Sequence, residues 1–355
     1  MKLRVGDWVE VRSKEEIVGT LDEKGRMEGL PFMPQMFQYC GKRFKVYKRA
    51  HKTCDWVYTA RSRWLPNGIH LDLRCDGVAY GGCQAACLLY WNEAWLKRVD
   101  ENSGVSEQPV VVNKTSCTEA DAYNSTHTVD ADNEVIYSCQ ATEVLNFTKP
   151  LSPWDIRQYI EDYTSGNVGI GRLFKGFVYA VFWNISHSGI KLGRPLRWFY
   201  DVFEVLWGPY PRRPGRIPKG QPTTTCNLDL QPGELVRVKS YNEILATLSE
   251  EGKNRGLSFD AELVPYCGSV RRVRTRLTTF IDEKKRKLVV LKNPSIILED
   301  VYCQSRYSNC KMMCPRSIYS WWHEIWLERL PIHSQPTSGS PGNDLSTGPS
   351  DQVYR

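Results

Sequence analysis

"VGDWVEVRSKEEIVGTLDEKGRMEGLPFMPQMFQYCG" occupies residues 5–41, and "PGELVRVKSYNEILATLSEEGKNRGLSFDAELVPYCG" occupies residues 232–268. The two stretches align without a gap, from Gly6 with Gly233 to Gly41 with Gly268. Val9/Val236, Val11/Val238, Ser13/Ser240, Glu16/Glu243, Thr20/Thr247, Phe32/Phe259 and Cys40/Cys267 are identical pairs. Self-similarity at a constant offset is the mark of a duplicated structural unit. The copies also finish alike, with "WNEAWLKRV" (91–99) against "WHEIWLERL" (322–330).

Each copy reads mostly as strand. "DWVEVRS" alternates apolar and polar residues, the period of a half-buried strand. "SKEEIVGTLDEKG" predicts a short helix, with Ser13 as N-cap, Glu16 closing a capping box and Gly25 beyond the end. "RFKVYKRA" alternates again. "WLPNGIHLDL" carries an Asn67-Gly68 turn, a hairpin signal, and "TFIDEKKRKLVVLKNPSIIL" turns at 282–285. The Cys-x3-Cys pairs, Cys83/Cys87 and Cys310/Cys314, sit where one helical face would hold both sulfurs. The expected fold is therefore mainly β with α: tandem barrel-like domains with short Cys-bearing helices, joined by a helical connector.

The boundaries follow composition. Residues 1–100 hold the first repeat and 223–332 the second. Residues 101–150 are polar and rich in Ser, Thr and Asn, and read as a mostly disordered acidic linker. Residues 151–222 read as helices followed by a Pro/Gly/Arg linker, and 333–355 as a disordered tail. In "SPWDIRQYIEDYTSG" (152–166), Ser152 is the expected cap and Gly166 the stop.

The chain has 355 residues, 41% hydrophobic and 25% charged, with a net charge of +7, so it has enough material for two or three domains. No apolar run approaches the ~20 residues of a membrane helix. "MKLRVGDWVEV" lacks an export signal's apolar core, which predicts a cytoplasmic protein and makes the four Asn-x-Ser/Thr sequons chance matches. In a reducing compartment cysteines bind metal or do redox work more often than they form disulfides.

"GDWVEV" followed by "FKVYK" resembles the opening of small β-barrels of the Tudor or KOW kind. The resemblance covers about fifty residues of each copy. It implies a module that binds protein or nucleic acid, or serves structure alone, and it assigns no functional residue.

Eight of the twelve cysteines form four equivalent pairs. Copy one has Cys40, Cys75, Cys83 and Cys87, and copy two has Cys267, Cys303, Cys310 and Cys314. Four thiolates satisfy tetrahedral zinc or an iron–sulfur cluster, which predicts a metal-binding interaction protein with structural sites. Copy one adds His51 and Cys54 as further ligands. The alternatives are disulfides, inert buried thiols, or a thiol- or cluster-dependent redox enzyme centred on the first repeat. For that enzyme Cys83, behind Gly81-Gly82, and Cys54, near Arg49, His51 and Lys52, are the candidates.

A third function class rests on charge. Lys42, Arg43, Lys45, Lys48 and Arg49 in copy one, and Arg271, Arg272, Arg274 and Arg276 in copy two, alternate with apolar residues. Such strands predict a basic face for a polyanion or nucleic acid, with a solvated sheet face as the plainer reading. Residues 170–207 predict two apolar-aromatic helices. Packing across the repeats is their expected role, with peripheral membrane contact as the alternative.

Overall fold

The computed structural model describes residues 2–55, 57–100, 104–105, 117–186, 193–203, 206, 210–307 and 311–331. The chain divides into two compact units. The first runs from the N-terminus to Ala180 and adds Thr275–Ile297 and Val301–Trp321; the second takes Val181–Arg274, Leu298–Asp300 and the chain from Trp322. The predicted Cys310 and the tail 333–355 lie outside the described residues, as do 101–103 and 106–116 of the linker.

In the first unit strand Trp8–Val11 pairs antiparallel with Arg43–Arg49 on one side and Leu96–Asp100 on the other. Its alternation is what the sequence dictates. Val9 and Val11 are fully buried, and the alternate Glu10 pairs outward with Arg43 at 3.0 Å. Gly68–Leu71 continues the sheet and Trp91–Asn92 ends it. The chain is a mixture of helix and antiparallel sheet, and none of its sheets closes into a barrel among the described residues. The edge strand Trp91–Asn92 is too short to close one. Asn92 Oδ1 accepts from Ala94 N at 2.9 Å and turns the chain into the 3-10 helix Glu93–Trp95.

The Asn67-Gly68 hairpin is not formed. Ser62–Trp64 pairs with Lys52–Cys54 and Lys149–Pro150, whereas Gly68–Leu71 belongs to the sheet above. The turn therefore hands the chain from one sheet to another. A Cβ at Gly68 would lie 2.6 Å from the Ala50 carbonyl, so a close backbone crossing, rather than a hairpin, needs the glycine.

Several bonds of the first copy recur in the second. Ser13 with Glu16 and Ser240 with Glu243 both form full capping boxes on five-residue helices. Phe32 stands edge-on to Trp95 at 5.0 Å, and Phe259 to Trp326 at 5.2 Å. Glu93 Oε1 accepts from Leu3 N at 2.8 Å, and Glu324 Oε1 from Leu230 N at 2.9 Å. Gly41 and Gly268 close the shared 3-10 helix with φ of +73° and +78°, a left-handed turn that other residues adopt only under strain. In the second unit Leu235–Val238 pairs with the start of Val270–Ile281 and with Leu327–Arg329, as its counterpart does in the first.

Residues 117–150 are built into the first unit. Thr118 caps the helix Glu119–Asn124, and His127–Val129 pairs with Val135–Tyr137. Cys117, Ala122, Val144 and Phe147 join the buried core with Trp91 and Trp95. The polar composition is satisfied at long range: Glu143 accepts from Arg26 at 3.1 Å and from Ser138 at 2.7 Å.

The Cys-bearing helices are absent from the described residues. Val78–Tyr80 is a 3-10 turn, after which Gly81 and Gly82 take φ of +61° and +76° and Ala86 takes +47°. Those left-handed residues break any helix through Cys83 and Cys87. A Cβ on Gly81 would collide with the Tyr137 hydroxyl. In copy two Met313 and Ser317, at +60° and +46°, bend the chain around Cys314 in the same way.

Helices Arg157–Thr164, Ile170–Ser186 and Gly193–Val202 supply the connector. The first starts at Arg157 rather than at Ser152, because Asp155 Oδ1 accepts from Arg157 N at 3.1 Å and takes over the helix entry; it stops at Gly166. No helix is long and apolar enough to cross a membrane among the described residues. The long strands Val270–Ile281 and Leu288–Tyr302 turn where the charged 282–287 segment is held by Asp282, whose Oδ1 accepts from Lys284 and Lys285 amides at 2.9 and 2.8 Å. Their turn-proximal parts belong to the first unit, where Leu277, Ile297 and Tyr319 cluster with Ala86, Phe280 and Trp321.

Candidate functional site: a thiol-lined cavity and a buried thiol pair

The hairpin contributed by residues 275–297 covers the loop 81–90. Gln84 makes the joint: its Oε1 accepts from Thr278 N at 2.7 Å and Thr279 N at 3.1 Å, while its own amide donates to the Thr279 carbonyl at 3.0 Å. Beneath the joint lies a cavity of about 380 Å³. Cys75, Cys83, Cys87 and Cys139 line it, among Tyr80, Leu88, Leu89, Phe280, Ile318 and Trp321. Asp282, Glu283, Lys284 and Arg316 give it charged groups.

One tripeptide builds two sides of this cavity. Cys83-Gln84-Ala85 and Cys139-Gln140-Ala141 carry the same residues, and each glutamine clasps backbone. Gln140 Oε1 accepts from Tyr90 N at 2.8 Å, and its Nε2 donates to the carbonyls of Tyr90 at 2.8 Å and Pro31 at 2.9 Å. Each clasp fixes the preceding cysteine. Cys139 was not reached by reading the repeat, since it has no counterpart in copy two. The recurring Cys-Gln-Ala was the signal that could have found it.

Three of the four predicted copy-one ligands therefore meet in one cavity, and Cys40 does not line it. Cys40 lies instead near Lys14, Glu15 and Glu119. In copy two Cys303 and Cys314 belong to the first unit and Cys267 to the second. Zinc needs four donors at roughly 2.0–2.3 Å from one centre. Among the described residues no group of three or more His, Cys, Asp or Glu side chains has metal-holding geometry. Burial raises the Cys87 thiol to about 12 and carries those of Cys75 and Cys139 upward as well. These three are neutral thiols at pH 7.

His51 is 1% exposed and serves the fold. Its Nε2 faces the Gln158 carbonyl at 3.1 Å and Asp162 at 3.3 Å, and burial holds its pKa down to about 4. Lys52 Nζ sits 2.6 Å from Asp162 and 2.9 Å from the Met312 carbonyl. Burial raises Asp162 to about 7.

Cys54, next along that strand, meets Cys314. The neighbouring Cys314 thiol, ahead of the charges of Arg316 and Lys311, lowers Cys54 to about 7. Arg316 Nη1 donates to the Cys54 carbonyl at 3.0 Å and Nη2 pairs with Glu283 at 2.6 Å. Lys48 approaches the same region. Its Nζ donates to Ser317 Oγ at 2.7 Å and lies 5.4 Å from the Tyr302 ring centre, and burial lowers it to about 8.

The basic strands separate into two classes. Lys42, Arg43 and Lys45 are exposed, Arg43 held by Glu10 and Lys45 resting 5.2 Å over Trp8. Arg49 is 1% exposed and pairs with Glu161 at 2.8 Å and Glu93 at 3.4 Å. In the second unit Arg271 stacks on Tyr266 at 5.8 Å, Arg272 donates to the Gly233 carbonyl at 2.7 Å, and Arg274 is exposed beside the half-buried Arg276. The alternation thus does not put all nine cations on one solvent face.

No protein-family model matches the chain, and neither curated proteins nor solved structures give a match.

Proposed function

We propose that the first unit is a small-molecule-binding module whose site is the thiol-lined cavity. One observation carries this reading: four cysteine thiols, three from residues 75–87 and the fourth Cys139, line a single cavity of about 380 Å³. That volume lies within the roughly 300–1,000 Å³ range of small-molecule sites, which pair apolar walls with a few polar groups. Neutral thiols are soft and polarizable and make weak donors. With Phe280 and Trp321 they suit a flat, largely apolar ligand, and Lys284 supplies a cation for an anionic substituent, Arg316 being paired with Glu283.

The zinc or iron–sulfur reading of the first repeat shares Cys75, Cys83 and Cys87 with this cavity and requires them to draw in around one centre with Cys40, which does not line it. Polyanion binding rests on the exposed members of the basic strands, Lys42, Arg43 and Lys45 in the first unit and Arg272 and Arg274 in the second, and carries no cavity. The test uses 1-anilinonaphthalene-8-sulfonate, an aromatic sulfonate. Saturable binding to the native chain is expected, with loss of that binding in Ala85→Phe at unchanged circular dichroism. Equal binding by wild type and Ala85→Phe would overturn the reading. Metal content of anaerobically purified protein is read in parallel; stoichiometric zinc or iron would favour the metal-centre reading instead.

A further inference from the structure

Helix Arg157–Thr164 of the first unit carries its polarity the wrong way round for a helix packed on a core. Its inner face is polar. Gln158, Asp162 and, just past the end, Ser165 are buried, and Lys52 Nζ meets Gln158 Oε1 at 3.3 Å and Asp162 Oδ2 at 2.6 Å. Its outer face is apolar. Ile156, already in helical conformation at the cap, Ile160 and Tyr163 recur at i, i+4 and i+7 and so share one side. Each is more than half exposed, and Trp154, just ahead of them, is 83% exposed. Four large apolar side chains left in water are unfavourable unless something apolar covers them.

The charges beside this stripe are sorted by depth. The N-terminal segment runs past the end of the helix, where Val5 N donates to the Ser165 carbonyl at 2.9 Å. Between segment and helix opens a cavity of about 350 Å³, lined by Lys2, Leu3, Arg4, Arg49, Arg157 and Ile160. Ile160 belongs to both the cavity wall and the apolar stripe, so the two adjoin. One carboxylate, Glu161, completes the lining, and the buried Arg49 holds it at 2.8 Å. The outer ion pairs turn their cations to solvent. The Lys2 side chain is 68% exposed against 22% for Glu161, and Arg157 is 86% exposed against 23% for Asp155. Arg4 is exposed as well. Exposed pairs are weak in water, so these cations can exchange a carboxylate for a phosphate. The Ser165 carbonyl, which would repel an anion, is taken by the Val5 amide.

An exposed stripe with Trp at one end and Tyr at the other, bordered by outward cations, matches the boundary between lipid headgroups and acyl chains. Trp154 stands clear of its neighbours, as an inserting residue must and a groove-lining residue does not.

We propose that this face docks on the surface of an anionic lipid bilayer. Trp154, Ile156, Ile160 and Tyr163 enter the acyl boundary, while Lys2, Arg4 and Arg157 hold headgroup phosphates at the mouth of the cavity. The contact is with one leaflet and is reversible.

Sedimentation of the full chain with lipid vesicles tests this. The chain should bind vesicles of equal parts phosphatidylcholine and phosphatidylglycerol, leave phosphatidylcholine alone largely unbound, and be released by salt. Ile160→Asp should weaken binding about tenfold or more, and so should Arg4→Glu combined with Arg157→Glu. Circular dichroism checks that both chains fold. Tryptophan emission should shift to the blue on binding, and Trp154→Phe should remove most of that shift while the chain still sediments. Several results would each overturn the proposal: no binding to the mixed vesicles, equal binding to both kinds, or binding that survives Ile160→Asp but fails in Lys42→Glu. So would a dimer that Ile160→Asp dissolves, which would make a second copy the occupant. Binding of inorganic phosphate without binding of vesicles would assign the cavity to a free anion and overturn it too.

Discussion

The indole N–H of Trp95 donates to the Thr20 hydroxyl at 3.0 Å, deep in the first unit's core. Trp326 makes the same bond to Thr247 at 3.1 Å in the second. Each threonine also donates to the carbonyl three residues back, Ile17 or Ile244, so one hydroxyl ties a helix end to the closing tryptophan. Thr20→Val should leave the Trp95 indole buried and unpaired. The expected loss is about 1–3 kcal/mol, the cost of an unsatisfied buried donor. Thr247→Val should cost less, because Thr247 is only half-buried. Urea unfolding of the two variants measures both.

Buried imidazoles set the acid limit of the fold. Burial holds His70 at about 3, and Lys48, Arg74 and Arg316 push the same way against the hydrogen bond with the Leu89 carbonyl. Unfolded, a histidine takes up its proton near 6.5. Between those values the unfolded chain binds more protons, so the stabilising contribution is present above about pH 6.5 and is lost as the pH falls. His51 acts in the same direction down to about 4. In His70→Phe the fall of unfolding free energy from pH 6.5 to 4.5 should be shallower by up to about one proton. An unchanged slope in urea titrations across that range would show that His70 is protonated in the folded state.

The two glutamine clasps predict different losses. Gln84→Ala frees the Thr278 and Thr279 amides, whose exchange with solvent deuterium should accelerate while the rest of the sheet keeps its protection. Gln140 is 4% exposed and satisfies three backbone groups. Gln140→Ala should therefore destabilise more, by about 2 kcal/mol or above, and should loosen the Tyr90 amide first.

Arg49 and Lys42 both belong to the basic set of the first repeat yet should behave oppositely. Arg49→Met removes the buried guanidinium from Glu161 and Glu93, leaving Glu161 its pair with Lys2 and Glu93 its bond from the Leu3 amide. Both carboxylates are partly exposed, so the expected cost is near the lower end of the roughly 3–5 kcal/mol for a broken buried pair. Lys42→Glu should change stability by less than about 0.5 kcal/mol. Thermal denaturation separates the two, and heparin retention at graded salt tells whether Lys42 meets a polyanion.

What the sequence disclosed is what is decided over a few residues. The Ser13–Glu16 box, the buried alternation of Val9 and Val11, and their copies at Ser240–Glu243, Val236 and Val238 need no distant partner to be specified. The Cys83/Cys87 spacing was different. Four residues apart fits a helix turn or an extended loop equally well, and the choice fell to left-handed Gly81, Gly82 and Ala86 and to Gln84's bonds to a strand nearly two hundred positions away. Residues 117–150 look like linker because their polar groups find partners such as Arg26 far along the chain. Cys54 and Cys314 occupy different places in their repeats, so comparing the copies could not pair them.

The hairpin and cysteine loop that complete the first unit come from residues 275–321, whereas its other strands are all present by Ala180. During synthesis the amino-terminal half must wait for most of the second repeat to leave the ribosome. At about 5–20 residues per second the wait is on the order of ten seconds. Over that interval the loop 81–90 and the wall carrying Cys139 stand uncovered. A chain cut between the repeats would remain in that unfinished state, a form that a chaperone or protease can tell from the finished one.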